Sequence, residues 1–507
     1  MSEQSNPESE KQTLSSRGDN RSHRPSSKAF REFMAGSWGE RPATRVKETG
    51  AAEYLPARHS GIGSQFVGQR LVIPAGGLKV RSNDTDYRFR AHSAFAHLTG
   101  LGGEMEPDAV LVLHPEEDGG HEAVLYFTPR SSRSSEEFYA DSRYGEFWVG
   151  ARPTLEEMES ATGLKCAPID TLGDALQKDA GVVQLRVVPN VDASVSAMVE
   201  QVRKQANLPT GEAALEDDEL LAERLSELRL AKDEFEVEQL QQAVDATKRG
   251  FEEIIRSLPR AAGHPRGERV VEGAFGAVAR EDGNGLGYDT IAAAGNHANT
   301  LHWMDNDGPV PGDSLILVDA GVEVDSLYTA DITRTLPVSG KFSPVQAKVY
   351  QAVLDAAEAA FEAAGKPGAI FADLHGAAQE VLAARLEEWG VLPVSAEESL
   401  KPEGQQHRRW MPHGTSHHLG LDVHDCAQAR NELYQGGKLE PGMTFTIEPG
   451  LYFREDDLAV PEDMRGIGVR IEDNILIQSD GTPKRLSEEI PRTVSGVEQW
   501  MAEIQER

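Results

Sequence analysis

Asp319, Asp331, His417, Glu448 and Glu472 each sit in a short motif of the C-terminal half that could present a ligand to a divalent metal ion. Asp319 ends the apolar run Leu315-Ile316-Leu317-Val318, and Asp331 precedes Ile332-Thr333-Arg334-Thr335, so strand-like segments would hold both acids rigidly. Taken alone, an aspartate closing a strand is more often a turn or cap residue. His413, His417, His418 and His424 crowd four of the chain's 15 histidines into a short stretch. His413 and His417 have the spacing of a helical zinc pair, but Gly414, Thr415 and Ser416 disfavour a helix and the glutamate of that motif is missing, which predicts a loop and strand. Glu448 follows Phe445-Thr446-Ile447, and Glu472 follows Val469-Arg470-Ile471. A lone carboxylate among such neighbours would have its pKa raised by several units, so a cation partner is the cheaper arrangement. For Arg470 and Glu472, which would share one face of a strand, a structural ion pair is the plain alternative.

Four carboxylates and one imidazole form a hard donor set with no thiolate, better suited to manganese or a similar first-row ion than to a sulfur-bound structural zinc. If the carboxylates converge, two divalent ions cancel their charge, whereas one ion leaves two negative charges over. Like charges about 4 Å apart cost on the order of 4 kcal/mol at an effective dielectric of 20. A dinuclear site is the better electrostatic solution.

The elements that must carry these residues follow from size and pattern. A chain of 507 residues exceeds what one hydrophobic core serves, which predicts two domains plus tails. Residues 1–33 hold almost nothing apolar and read as a disordered tail. Residues 34–230 alternate short β-like runs, at Arg70 to Ile73, Ala109 to Leu113 and Ala123 to Phe127, with helical stretches such as that around Thr154 to Thr162, the pattern of an α/β domain. Residues 231–507 form the second domain. It opens with an amphipathic helix from Asp233 through Phe235, Leu240, Val244, Thr247, Phe251, Ile254 and Leu258. A second helix is predicted from Ser343-Pro344 to Gly365, with Ser343 as N-cap and proline in the first turn. Ser314 to Ala320, Met443 to Ile447 and Gly468 to Ile477 read as strands.

The formal net charge of −32 argues against a general nucleic-acid binder, since phosphate contacts need a basic face, and reads as a solvated acidic surface. Two cysteines, Cys166 and Cys426, are too few for a disulfide framework. The N-terminus has no signal-peptide stretch, and no run approaches the roughly 18 apolar residues of a membrane span. A soluble cytoplasmic protein that binds no membrane is the expectation.

Taken in order, Leu301-His302-Trp303, Val318-Asp319-Ala320-Gly321, Asp331-Ile332-Thr333-Arg334-Thr335, His413-Gly414, Ser416-His417, Asp422-Val423-His424-Asp425, Ile447-Glu448-Pro449-Gly450 and Val469-Arg470-Ile471-Glu472-Asp473 resemble the motifs of the pita-bread metallopeptidases. The likeness is greatest to the bacterial Xaa-Pro aminopeptidases, or aminopeptidases P, and spans residues 40–495. Arg88-Phe89-Arg90 and Leu98-Thr99-Gly100 resemble pieces of that family's N-terminal domain. The resemblance implies a creatinase-like α/β N-terminal domain and an α+β pita-bread catalytic domain of two similar halves enclosing the site. It implies that Asp331 and Glu472 bridge two metals, that Asp319 binds one and that His417 and Glu448 bind the other. His302, His413, His424 and Arg470 would form the surrounding catalytic shell, with His302, His424 and Arg470 contacting substrate.

The implied function is release of the N-terminal residue from peptides with proline second, by a hydroxide bridging the two metals. Metal binding lowers the pKa of water from about 15.7 to near 7, which eases formation of the nucleophile by roughly 12 kcal/mol at about 1.4 kcal/mol per unit. Glu448 would relay a proton to the proline nitrogen. A homo-oligomer, dimer or tetramer, is expected. The rivals are a prolidase acting on Xaa-Pro dipeptides, a methionine aminopeptidase, disfavoured by the large N-terminal domain, and a non-catalytic peptide- or histone-binding member of the same fold, disfavoured because all five ligands are present. Two departures from the family pattern stand out: the eleven residues Ala320 to Ala330 between the ligand aspartates, one more than in some members, and a small Ala96 where some members carry a large aromatic.

Overall fold

A computed structural model describes residues 25, 27–41, 49–103 and 105–506, and divides the chain into two compact units. The first comprises the chain up to Ala52, Phe66–Phe95 and the stretch ending at Gly211; the second comprises Glu53–Gln65, Ala96–Gly103 and the chain from Glu212 onward.

The tail expected over residues 1–33 falls largely outside the described residues, but its end is not a tail. Lys28–Ala35 is a helix capped by the Ser27 side chain, which accepts from the Phe30 backbone N–H at 3.1 Å. Phe30 meets Tyr139 edge to face at 5.4 Å, and Arg31 pairs with Glu136 at 3.1 Å. Those long-range contacts, invisible in a polar segment, order it.

The first unit is built on a five-stranded mixed sheet in the order Lys165–Pro168, His121–Phe127, Val110–Pro115, Gln69–Pro74, Gln184–Val187. The central pairs are antiparallel and the two outer pairs parallel. Successive residues Leu71, Val72 and Ile73, and Val110 to Leu113, are all buried, so both faces of the sheet are covered and its strands read as continuous apolar runs. Val195, Val199 and Val202 of helix Ala193–Gln205 cover one face.

In the second unit two helical hairpins each lead into antiparallel strands. Helices Glu234–Ala262 and Gly267–Asp282 precede a sheet in which Leu315–Ala320 lies between Ile332–Pro337 and Ile291–Ala294. Helices Pro344–Ala364 and Phe371–Glu388 precede a sheet in which Asp473–Ile477 lies between Thr444–Ile447 and Pro483–Arg485. Asp233 and Glu236 close a capping box at the start of the first helix, with bonds of 3.1 and 2.9 Å. Its stripe Leu240, Val244, Thr247, Phe251, Ile254 and Leu258 is buried. Gly250 lets the second helix approach, because a Cβ there would lie 2.5 Å from the Phe275 ring. Ser343 caps the third helix as its sequence predicts. Helix Glu212–Leu228, placed by its sequence before the expected boundary at residue 230, belongs with the second unit, where Leu221 and Leu225 are buried.

The run Gly468 to Ile477 is not one strand. Ile467–Arg470 pairs with Gly450–Phe453 in a two-stranded ribbon, while Asp473–Ile477 is central to the three-stranded sheet. The break falls at Ile471 and Glu472, where the Glu472 backbone N–H donates to Thr333 O at 3.1 Å and draws the chain against the first half. Among the described residues no helix is long and apolar enough to cross a membrane, and both cysteines are free.

Candidate metal centre

The acids and the histidine reach one place because strand ends from both halves meet there. Asp319 lies in the central strand of the first sheet and pairs in register with Thr333, two residues after Asp331 on the neighbouring strand. Asn474 fixes the Asp331 backbone, donating to its carbonyl at 2.5 Å and accepting from its N–H at 3.1 Å. Glu448 follows strand Thr444–Ile447, and its backbone N–H donates to Thr415 O at 2.7 Å. His417 runs beside Thr446, whose backbone N–H donates to His417 O at 2.9 Å, and His418 makes an isolated bridge with Phe445. His413 and His417 thus lie on a loop, as the intervening glycine, threonine and serine predict.

Asp319, Asp331, His417, Glu448 and Glu472 all line a single cavity of about 680 Å³, as do His302, His413, His424 and Arg470. Donor atoms of Asp331, His417 and Glu472 lie within 4.8 Å of one another, the tightest part of the set. His417 Nε2 stands 3.2 Å from Asp331 Oδ2 and 3.4 Å from Glu448 Oε1. The other ring nitrogen, Nδ1, is 3.1 Å from the His418 carbonyl, an acceptor only, so Nδ1 carries a proton and Nε2, which faces the acids, is the nitrogen a cation would claim in place of its proton. Thr333 Oγ1 donates to Glu472 Oε2 at 2.6 Å, while Glu472 Oε1 is buried with no hydrogen-bond partner. A buried carboxylate oxygen without a donor is destabilising unless a cation meets it, and its neighbours within reach are other metal-type donors. The residues present therefore fit divalent cations.

The ion pair weighed for Arg470 and Glu472 is not formed. Arg470 donates through Nη2 to Asp319 Oδ2 at 2.5 Å, through Nε to Thr333 Oγ1 at 3.0 Å and through Nη1 to the Tyr452 hydroxyl at 3.1 Å. Tyr452 Oη also lies 2.7 Å from His413 Nε2, whose Nδ1 is bonded to the Gly414 carbonyl at 2.6 Å. His413 is thus held as the Nδ1–H tautomer, and Tyr452 donates to it while accepting from Arg470. His424 meets the His417 ring edge to face at 4.4 Å, and both His302 and His424 are exposed on the cavity wall. Of the two departures from the family pattern, Ala96 is buried, and the connection between Asp319 and Asp331 turns at Leu327, with φ of 73°.

Tyr288 escaped the sequence reading. Its hydroxyl reaches Asp319 Oδ1 at 2.7 Å and also bonds Asp331 Oδ1, joining two of the acids. The sequence carries one trace of it, the Gly283 to Gly287 approach just before it, and Gly321 answers on the other side: a Cβ there would meet the Tyr288 ring at 3.0 Å and the Ala330 carbonyl closer still.

The electrostatics report an excess of negative charge at close quarters. Burial above all, then the neighbouring carboxylates, raises the Asp331 and Glu472 pKa values, and burial pushes Glu448 up to about 7. Burial alone would depress His417, but the Asp331 hydrogen bond and the Glu448 charge outweigh it and lift the imidazole to about 9. Burial, then the Arg470 charge, lowers His413 to about 3, so it is neutral. Burial and then the acids hold Tyr288 well above the ordinary phenol range. Protons stand where cations would otherwise balance the acids.

Comparison with known proteins gives a consistent result. The model of metallopeptidase family M24 matches residues 238–479, and that of the aminopeptidase P N-terminal domain matches residues 58–186. Xaa-Pro aminopeptidase 1 of Streptomyces coelicolor is 49% identical over 473 residues, covering 93% of this chain and 92% of the relative. Xaa-Pro aminopeptidase 2 of the same organism is 47% identical over 471 residues, covering 93% and 95%. The structure of Pseudomonas aeruginosa aminopeptidase PepP superimposes with a TM-score of 0.76 at 28% identity, covering 90% of this chain and 99% of that one.

Proposed function

The chain belongs to metallopeptidase family M24, with the aminopeptidase P N-terminal domain and the pita-bread fold, and from that premise we propose that it releases the N-terminal residue from peptides whose second residue is proline. Asp331 and Glu472 would be shared between two divalent cations, most fittingly manganese, with Asp319 holding one of them and His417 with Glu448 the other. The observation that carries this reading is the buried, partnerless Glu472 Oε1 in a cluster with Asp331 and His417, lining one cavity with Asp319 and Glu448. Such ions, when bound, supply an activated water at neutral pH and a Lewis acid for the scissile carbonyl.

The chain's own groups do the rest. A proline amide has no N–H, so the site needs no acceptor for one, and the departing nitrogen needs a proton. We assign its delivery to Glu448, whose Oε2 lies 3.9 Å from His413 Nδ1 on the same wall. His302 and His424 are exposed to the cavity and are assigned to the peptide. Arg470 already bonds Asp319, Thr333 and Tyr452, which suits it to holding the ligand shell and the Tyr452–His413 pair in place. The proposal extends to a cytoplasmic homo-oligomer, dimer or tetramer, which light scattering at working concentration tests.

The deciding experiment compares hydrolysis of Xaa-Pro with Xaa-Pro-Yaa and longer peptides in added manganese. Faster turnover of the tripeptides and longer substrates is expected. A strong preference for dipeptides would make the protein a prolidase instead.

A further inference from the structure

Glu268 stands in the first turn of helix Gly267–Asp282, fully buried, and lines no part of the cavity. Each of its carboxylate oxygens accepts two hydrogen bonds. Oε1 accepts from the Ala294 backbone N–H at 2.8 Å and from His297 Nδ1 at 2.7 Å. Oε2 accepts from Trp303 Nε1 at 2.9 Å and from the Gly308 backbone N–H at 2.7 Å. Its own backbone N–H donates to Gly308 O at 3.1 Å. Among the described residues no lysine or arginine pairs with it; four N–H donors and the positive end of its helix stabilise the charge.

All four donors belong to one segment, Ala294 to Gly308. Within it Leu301, His302 and Met304 line the cavity, whereas the Trp303 indole turns to Glu268 and stacks on His297 at 3.9 Å. The approach is tight, because a Cβ on Gly308 would stand 2.6 Å from the His297 ring and 2.9 Å from Glu268 Oε2. One side of the segment is thus pinned at both ends and at its centre, and the other side forms cavity wall.

The geometry points to Glu268 as a positioning residue for catalysis: by pinning Ala294, His297, Trp303 and Gly308 it sets where His302 meets the peptide. This rests on the assignment of His302 to the substrate. A glutamine is nearly isosteric but turns an NH₂ group toward two N–H donors, so Glu268→Gln breaks one side of the clamp and leaves its volume filled.

The test is a double-variant cycle on the full-length, manganese-loaded enzyme with an Xaa-Pro-Yaa tripeptide. Glu268→Gln is expected to lower kcat/KM roughly ten- to hundredfold through misplacement of the wall, to leave manganese content unchanged and to speed amide exchange at Ala294 and Gly308. In the His302→Ala background the same change should cost less than about twofold, because the group it positions is gone. A full loss in both backgrounds, or unchanged activity and exchange, overturns the clamp. His302→Ala at the wild-type rate instead overturns the assignment of His302, and this inference with it. If Glu268→Gln does not fold, Trp303→Phe, which removes one donor and keeps a ring, runs the same cycle and decides by the same criteria.

Discussion

The Glu472 carboxylate gives one oxygen to Thr333 and keeps the other buried without a partner, so its substitution has an unusual expected signature. Glu472→Ala should remove a local repulsion and leave the metal-free protein folded, while taking away the carboxylate proposed to be shared between the ions. Manganese bound per chain is expected to fall below two, and kcat by about three orders of magnitude or more, which is about 4 kcal/mol. Elemental analysis beside a peptidase assay checks this, and two ions with normal turnover would refute the assignment. Tyr288 makes a subtler case. Its hydroxyl bonds both Asp319 and Asp331, and outer partners of this kind are worth roughly 10- to 100-fold in metal affinity or activity. Tyr288→Phe is expected to weaken manganese binding within that range, read by titration, with the ring still packed. The contrast between the two residues explains what was legible. An acid set among Ile and Val residues announces its need for a partner in the sequence itself. A tyrosine after a glycine-rich stretch announces nothing until the chain folds and brings its hydroxyl to two acids 31 and 43 residues away.

Helix starts near Thr154, Asp233 and Ser343 were readable at the level of elements because a cap is a local transaction: in the structure Asp233 with Glu236, Thr154 with Glu157 and Ser343 with Gln346 each close a capping box. The run from Gly468 to Ile477 was not readable, since its residues are strand-compatible throughout and the break is imposed from the other half of the unit. Arg334 spans that break. Fully buried, it donates through Nη1 to Glu472 O at 2.6 Å and through Nη2 to Asp473 Oδ1 at 2.7 Å, and it also bonds the Ile490 and Pro491 carbonyls. It therefore holds Glu472 at the crossing between the ribbon and the sheet. Arg334→Met should leave Asp473 with Ser487 at 2.7 Å and the more distant Arg485 at 3.7 Å. Removing one partner of a buried ion pair costs about 3–5 kcal/mol, so a clearly lower urea midpoint is expected, together with weaker manganese binding. An unchanged midpoint would mean that the carbonyls and Asp473 find other donors.

For the molecule as a whole, the sequence suggested two consecutive domains, whereas the compact units interleave: Glu53–Gln65 and Ala96–Gly103 belong with the second. Arg58 and His97 show why spacing could not reveal it, since their partners are Asp233, at 2.8 Å, and Glu236, at 3.6 Å, far along the chain. Charge balance at the centre likewise has a consequence for the stability of the entire fold. Without metal, Glu448 is raised from its ordinary 4.5 to about 7, Asp331 and Glu472 are raised as well, and His417 rises from 6.5 to about 9. Each of these groups holds its proton to higher pH folded than unfolded, so the folded state binds more protons and loses stability as pH rises, through about 4.5 to 7 for Glu448 and about 6.5 to 9 for His417. His413, lowered to about 3, is already neutral across this range and drops out of the difference, while His424 is lowered as well and acts with the opposite sign. Binding cations displaces the raised protons, so metal competes with them most at low pH. The gain in Tm on adding manganese to chelator-treated protein is therefore expected to be small near pH 5 and to increase steadily to pH 8. Scanning calorimetry of loaded and metal-free samples across that range tests it, and a gain that is flat or shrinks with pH would mean that the raised acids and His417 are not the groups the cations replace.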